Sequence, residues 1–150
     1  MPVDVQTTEG RLTLTAYVWA DQRDRLERLR GALAVAQETP VEVRRSSARD
    51  FVGTLALRAG AATVLWHSVM WQYLDDAEQH DVTAAIERLG DAATDEAPFA
   101  HLAMEPMRRT PDAEHEFLVV LTEWPAGERR VLGASRGHGV PTDWDGMPST

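Results

Sequence analysis

The stretch from Thr63 to Phe99 constrains the fold more than any other part of the chain. Thr63-Val-Leu-Trp-His-Ser-Val69 is an apolar, β-branched run with little polar alternation. Such a run suits a strand covered on both faces, as in a parallel sheet with helices on each side. Asp75, with Glu78 at the capping-box position, then opens a helix that carries Val82, Ala85, Ile86 and Leu89 on one stripe. Phe99 to Met104 reads as the next strand, closed by Glu105-Pro106. Two strands separated by a helix of this length imply a right-handed crossover.

The flanking segments extend this pattern. In residues 11–19, Leu12, Leu14, Ala16 and Val18 alternate as in a strand, while Leu12, Ala16 and Trp19 also suit a helical stripe. Residues 21–37 read as a helix capped by Asp21, with Leu26, Leu29, Leu33 and Ala36 on one face and an Asp24–Arg28 pair. Pro40 ends it, and Val41-Glu42-Val43-Arg44 alternates as a short strand. Ser47 and Asp50 resemble a capping box that opens a helix with Phe51 and Leu55 inward, and Gly60 supplies a stop. Phe117–Trp124 and Arg129–Ser135 flank Pro125-Ala126-Gly127-Glu128 as a hairpin. Residues 1–10 and 141–150 read as poorly ordered. The expected architecture is a single α/β domain over residues 1–150, three-layered, with a mostly parallel sheet and a C-terminal β-hairpin.

Composition excludes several classes. The 150 residues hold 15 Arg, no Lys, 24 acidic residues and no Cys, for a formal charge of −9. Without a basic excess there are few counterions to release on a nucleic acid, so no nucleic-acid partner is expected. Absence of Cys removes disulfides, a thiolate nucleophile and sulfur-ligated zinc. No apolar run approaches a membrane span, and Met1-Pro2-Val3-Asp4 lacks the basic-then-apolar pattern of a signal peptide. These features predict a cytoplasmic protein with no membrane partner.

Several strings together resemble a bacterial family, domain-of-unknown-function family 2332. They are Pro2-Val3-Asp4, Glu9-Gly10-Arg11-Leu12, Tyr17-Val18-Trp19-Ala20-Asp21-Gln22, His67-Ser68-Val69-Met70-Trp71-Gln72-Tyr73-Leu74 and His138-Gly139. The likeness spans nearly the whole chain, with Ala20 where the family has Pro. Longer members look like methyltransferase-type Rossmann proteins, which implies a partial Rossmann fold that starts halfway through the family's sheet. It also implies that the first strand and its Gly-rich cofactor turn have no counterpart here. Where the family's third-strand tip has Asp, this chain offers Ser46 and Ser47, which weakens the case for an adenine-bearing cofactor. The resemblance places a helix over residues 11–19.

In an open parallel sheet, ligands bind beyond the C-terminal strand ends. That rule singles out Ser46-Ser47, His67 to Tyr73 and Met104 to Arg108. His67, Tyr73 and Glu105 are the catalytic candidates, able to share one rim for acid–base work if Glu105 is desolvated beside Trp71. The bland alternatives are a buried His67 bonded to a backbone carbonyl and a Glu105 that faces water before Pro106. Asp21, Ser47, Trp71 and Gln72 are the ligand-contact candidates, while Trp66 reads as core. His67, Glu105 and His138 could imitate a two-His, one-carboxylate metal site, but no ligand-spacing motif supports a metal. Arg108-Arg109 could take an anion or stay solvated. Gly133 to Gly139 fails as a phosphate loop because no helix follows it.

The expected function is non-catalytic: a truncated methyltransferase-like module that needs no cofactor and binds a second copy or a protein partner through an exposed sheet edge. The alternatives are an S-adenosylmethionine-dependent small-molecule transferase, perhaps completed by a separate N-terminal half, and a metal-assisted hydrolase.

Overall fold

The computed structural model describes residues 3–137 and 139–146. The chain divides between Ser46 and Ser47 into two compact units, where the sequence suggests one.

The N-terminal unit is a helix pair, α1 (Thr8–Ala16) and α2 (Arg23–Glu38). The helical alternative for residues 11–19 is the one adopted, although α1 starts at Thr8, inside the stretch expected to be irregular. Thr7 is the reason: its hydroxyl accepts from the Gly10 N–H at 3.0 Å and caps the helix. Asp21 does not cap α2; the N-cap is Gln22, which makes no side-chain capping bond. Leu26, Leu29, Leu33 and Ala36 form the less exposed stripe of α2, yet no residue of this helix is buried. Val41 to Arg44 forms no strand. Its alternation has no neighbouring strand to pair with, and propensity alone does not hold an isolated strand.

The C-terminal unit contains α3 (Ala48–Gly53), α4 (Asp76–Asp91) and one five-stranded sheet: β1 (Thr63–Ser68), β2 (Phe99–Arg108), β3 (His115–Trp124), β4 (Glu128–Ser135) and β5 (Thr142–Trp144). Both predicted caps form. Ser47 accepts from the Asp50 N–H at 3.1 Å and Asp75 from the Glu78 N–H at 2.8 Å. Strands are ordered β1-β2-β3-β4-β5, and only β1 and β2 are parallel. The expectation of a mostly parallel Rossmann sheet is therefore corrected: the sheet is mostly antiparallel. A single crossover, α4, links the parallel pair, and every later connection is too short to carry another.

Strand β2 also runs through Glu105 and Pro106 instead of closing there. Met104 is the last residue of β2 paired with β1, and the Met104 carbonyl faces the β1 side, accepting from Val69 N–H. By the two-residue period, the nitrogen of Pro106 faces that same side, past the end of β1, where no bond is lost.

The three-layer expectation is corrected as well. Leu65, Val82, Ala85, Ile86, Leu89 and Phe99 form the core between α4 and one face of the sheet, with Val52 of α3 joining them. Val64 and Trp66 point to the opposite face and are 59% and 51% exposed. Trp66 is thus not core: the apolar run on β1 is covered on one face. In α3 it is Val52, not Phe51, that turns inward. Gly60 lies beyond α3 in a turn at φ +77°, not at the helix end. The tail includes β5, so part of the stretch expected to fray pairs with β4. Arg109 is already bound, to Asp145 at 2.7 Å and to Glu116 at 3.0 Å. Among the described residues, no helix is long and apolar enough to cross a membrane.

Trp124 stacks on Phe99, its register partner, at a 5.3 Å ring separation. It also lies over Gly90, where an added Cβ would stand 2.5 Å from the indole. Gly90→Ala is therefore expected to destabilise the C-terminal unit by about 1–3 kcal/mol, against the usual helical preference for Ala. Gly31→Ala in α2 has open space around the new methyl and is expected to stabilise its own helix by up to about 1 kcal/mol. Urea unfolding of both variants checks the contrast.

Candidate active site

The two-residue period of β2 places His101, Ala103 and Glu105 on the face that looks toward α4, and β1 sets His67 opposite Ala103. His67 therefore sits between His101 and Glu105. Its Nδ1 lies 2.8 Å from Glu105 Oε1, and its Nε2 lies 2.9 Å from His101 Nε2. The imidazole centroids are 5.0 Å apart with ring planes at 29°. With 2.9 Å between the nitrogens, the rings meet end to end, not face to face. Trp71 lies alongside His67 at 5.7 Å.

Glu105 is 3% exposed, the one charged residue in the buried set. Its Oε1 also accepts the Met70 N–H at 3.0 Å and the Trp71 N–H at 3.3 Å. The backbone at Val69 makes this possible. Val69 takes φ +49°, a left-handed conformation that costs a β-branched residue about 1–3 kcal/mol. That turn reverses the chain at the end of β1 and returns two consecutive amides to Glu105. Glu105 Oε2 is buried with no hydrogen-bond partner.

The donors dictate the tautomers. Backbone amides only donate, so Oε1 is an acceptor and His67 Nδ1 carries the proton that bonds it. In neutral His67, Nε2 is then a lone pair, which accepts Nε2–H from His101. His101 Nδ1 is left unprotonated, on a ring that lines the cavity described next. The His101 pKa is lowered from 6.5 to about 4, chiefly by burial and secondarily by the charge of His67.

This chain of groups lies in a cavity of about 750 Å³ between α4 and the sheet, lined also by Trp71, Gln72, Ile86, Thr122, Trp124 and Arg129. Of the candidates from sequence, His67, Glu105, Trp71 and Gln72 meet here. Glu105 is buried, not water-facing, and His67 bonds two side chains, not a backbone carbonyl. Tyr73 does not join them: it is 79% exposed and outside the cavity lining. Ser47 is occupied as the α3 cap, and Asp21 is an exposed residue of the N-terminal unit. His138 lies outside the described residues, as do Met1, Pro2 and 147–150. Among the described residues, no group of three or more His, Asp or Glu side chains is placed to hold a metal ion. His101, Thr122 and Arg129 escaped the sequence reading. Extending β2 through Pro106 would have put His101 on the Glu105 face.

The C-terminal unit is thus an α/β unit with a half-buried Glu–His–His chain beside an open cavity. The chain belongs to a family described as "Uncharacterized protein conserved in bacteria (DUF2332)", whose family model matches residues 1–144. No curated protein and no solved structure matches it.

Because His101 is held neutral in the fold, its protonation opposes folding. The unfolded chain binds that proton between pH about 4 and 6.5 while the folded chain does not, so stability rises with pH across this window and falls on acidification. His101→Gln is expected to lose less stability than the parent between pH about 7 and 5, by on the order of 1–2 kcal/mol, as read by urea unfolding at each pH.

Proposed function

We propose that the C-terminal unit is an acid–base catalytic module that removes a proton from a small, largely apolar molecule bound in the cavity. The end-to-end Glu105–His67–His101 chain carries this reading. His101 Nδ1 is the base. On taking a proton there, His101 passes its Nε2 proton to His67 Nε2, and the positive charge moves onto the ring that Glu105 already holds. The carboxylate stabilises that charge at 2.8 Å in a dry surrounding, where its effect exceeds what it would have in water. Glu105 thereby orients His67, and the two amides after Val69 orient Glu105. Trp71, Ile86 and Trp124 supply the apolar wall that selects an uncharged reacting portion. The transferase alternative loses its support along with the parallel Rossmann sheet.

A second reading, association with another copy of the chain, draws on the edge of the sheet. Thr63 N–H bonds the carbonyl of Pro98, just before β2, at 3.0 Å, and Val69 N–H that of Met104 in β2 at 2.9 Å, so by the two-residue period the polar backbone groups of Val64, Trp66 and Ser68 face away from β2. β1 is the sheet's outermost strand, and it has no charge, Pro or bulge to block pairing. Two antiparallel β1 strands match about a two-fold at Trp66, with Val64 opposite Ser68 of the other copy. The pairing joins two sheets and sets the two Trp66 indoles side by side.

Nitrobenzisoxazole tests the catalytic reading, because a base that takes its ring C–H breaks the N–O bond and releases a coloured cyanophenolate. The expected result is turnover above buffer, lost in His101→Gln and reduced about 10- to 100-fold in Glu105→Gln. No rate above buffer, or an undiminished rate in His101→Gln, overturns it. For association, light scattering is expected to give a concentration-dependent dimer that Trp66→Lys converts to monomer; a parent that stays monomeric at high concentration removes this reading.

A further inference from the structure

The cavity holds a second polar feature besides the Glu105–His67–His101 chain. Register pairs place His101 of β2 beside Thr122 of β3, and Thr122 beside Arg129 of β4. These three residues form a row across the sheet on the α4 face, and all three line the cavity. At the usual strand spacing the row spans about 10 Å from His101 to Arg129. Thr122 stands midway, its hydroxyl able to donate or accept.

Arg129 differs from its neighbour. Arg130 points to the opposite face, opposite Leu121, and is ion-paired with Glu123 and Glu128. Arg129 has no carboxylate within salt-bridge distance among the described residues, and its one side-chain hydrogen bond there is to the Met107 sulfur at 4.0 Å, a weak acceptor. It is the sole guanidinium among the described cavity-lining residues. An exposed arginine ordinarily satisfies itself with water, but this one stands over an apolar cavity at a fixed offset from a base. A guanidinium presents paired N–H donors that match a carboxylate.

We infer that the cavity takes an elongated apolar monocarboxylate, anchored by Arg129 and presenting its reacting portion to His101 across Thr122. This specifies the substrate class of the acid–base reading and rests on that reading for the role of His101. The anchor lies about two strands from the base, so the bound acid spans the stretch over Thr122, between Arg129 and His101, and its charge stays at the solvent side. The anion also offsets the excess positive charge that His101 and His67 share after proton uptake.

Naphthalene-2-carboxylate and naphthalene-2-carboxamide test this as a matched pair, with affinities read from quenching of tryptophan fluorescence and from proton NMR shifts of the indole N–H groups. The carboxylate is expected to bind about tenfold tighter than the amide. Arg129→Gln is expected to level the two while amide affinity persists, and Arg130→Gln to keep the parental preference. Equal affinities in the parent, no saturable binding of either probe, or a preference that survives Arg129→Gln overturns the inference. His101→Gln separates the two proposals: it is expected to lose nitrobenzisoxazole turnover and retain the carboxylate preference. An inactive parent that still prefers the carboxylate overturns the acid–base reading and leaves Arg129 as an anion anchor.

Discussion

Burying one carboxylate organises the C-terminal unit. An unpaired charge in that position would cost several kcal/mol, so the fold must bring donors to it. Three arrive at Glu105 Oε1: the His67 imidazole and two successive amides. None can be supplied by β2 itself. The imidazole requires β1 in parallel register beside β2. The amides require the chain to turn sharply at Val69, in a conformation its side chain disfavours. A strain of this kind persists only where its surroundings over-determine it, and here the Val69 N–H bond to Met104 and the pull of Glu105 do so together.

The same register explains why a cavity exists at all. Helix α4 is the only crossover in the sheet, so within the C-terminal unit it covers β1 and β2, reaches β3 at Trp124, and extends no further across the sheet. Trp124 marks the boundary. On its inner side it stacks on Phe99 and lies over Gly90, and on its outer side it walls the cavity. Where a longer parallel sheet would place the next helix, this unit leaves an apolar concavity with His101 at one end and Arg129 at the other.

How much of this was legible in the sequence follows from which signals are local. The caps at Ser47 and Asp75 act over three residues, and the Val82-Ala85-Ile86-Leu89 stripe acts within one helix, so both read correctly. The hairpin at Pro125–Glu128 is equally local. Sheet direction is not: nothing within Phe99–Arg108 announces that the partner on one side is parallel and on the other antiparallel. Pro106 misled, because a proline normally ends a strand, and the length of β1 that permits it there belongs to another segment. That single error hid His101, since a strand closed at Glu105 draws attention to its tip and not to the residue four positions earlier. Trp66 and Val64 misled differently. Their hydrophobicity implies a cover, but burial depends on what lies opposite, which the run itself does not encode. His67 and Glu105 were singled out by a rule about parallel sheets that most of this sheet does not obey; β1 and β2 are the one pair to which it applies.

β1 ties the two functional readings together. Its alternate residues divide between two tasks, with Leu65 and His67 facing the core and the site, and Val64 and Trp66 facing outward at an open edge. The bonds that orient His67 begin at the end of this strand, where Val69 turns. A strand paired to that edge would fix the backbone from Val64 to Ser68 and restrict the motion of the turn that follows. The two amides would then be held on Glu105, and Glu105 on His67. Association at the edge and proton transfer in the cavity, as proposed, would therefore not be competing uses of the unit: the first would stiffen the strand on which the second would depend, from the face of the sheet that the site does not occupy.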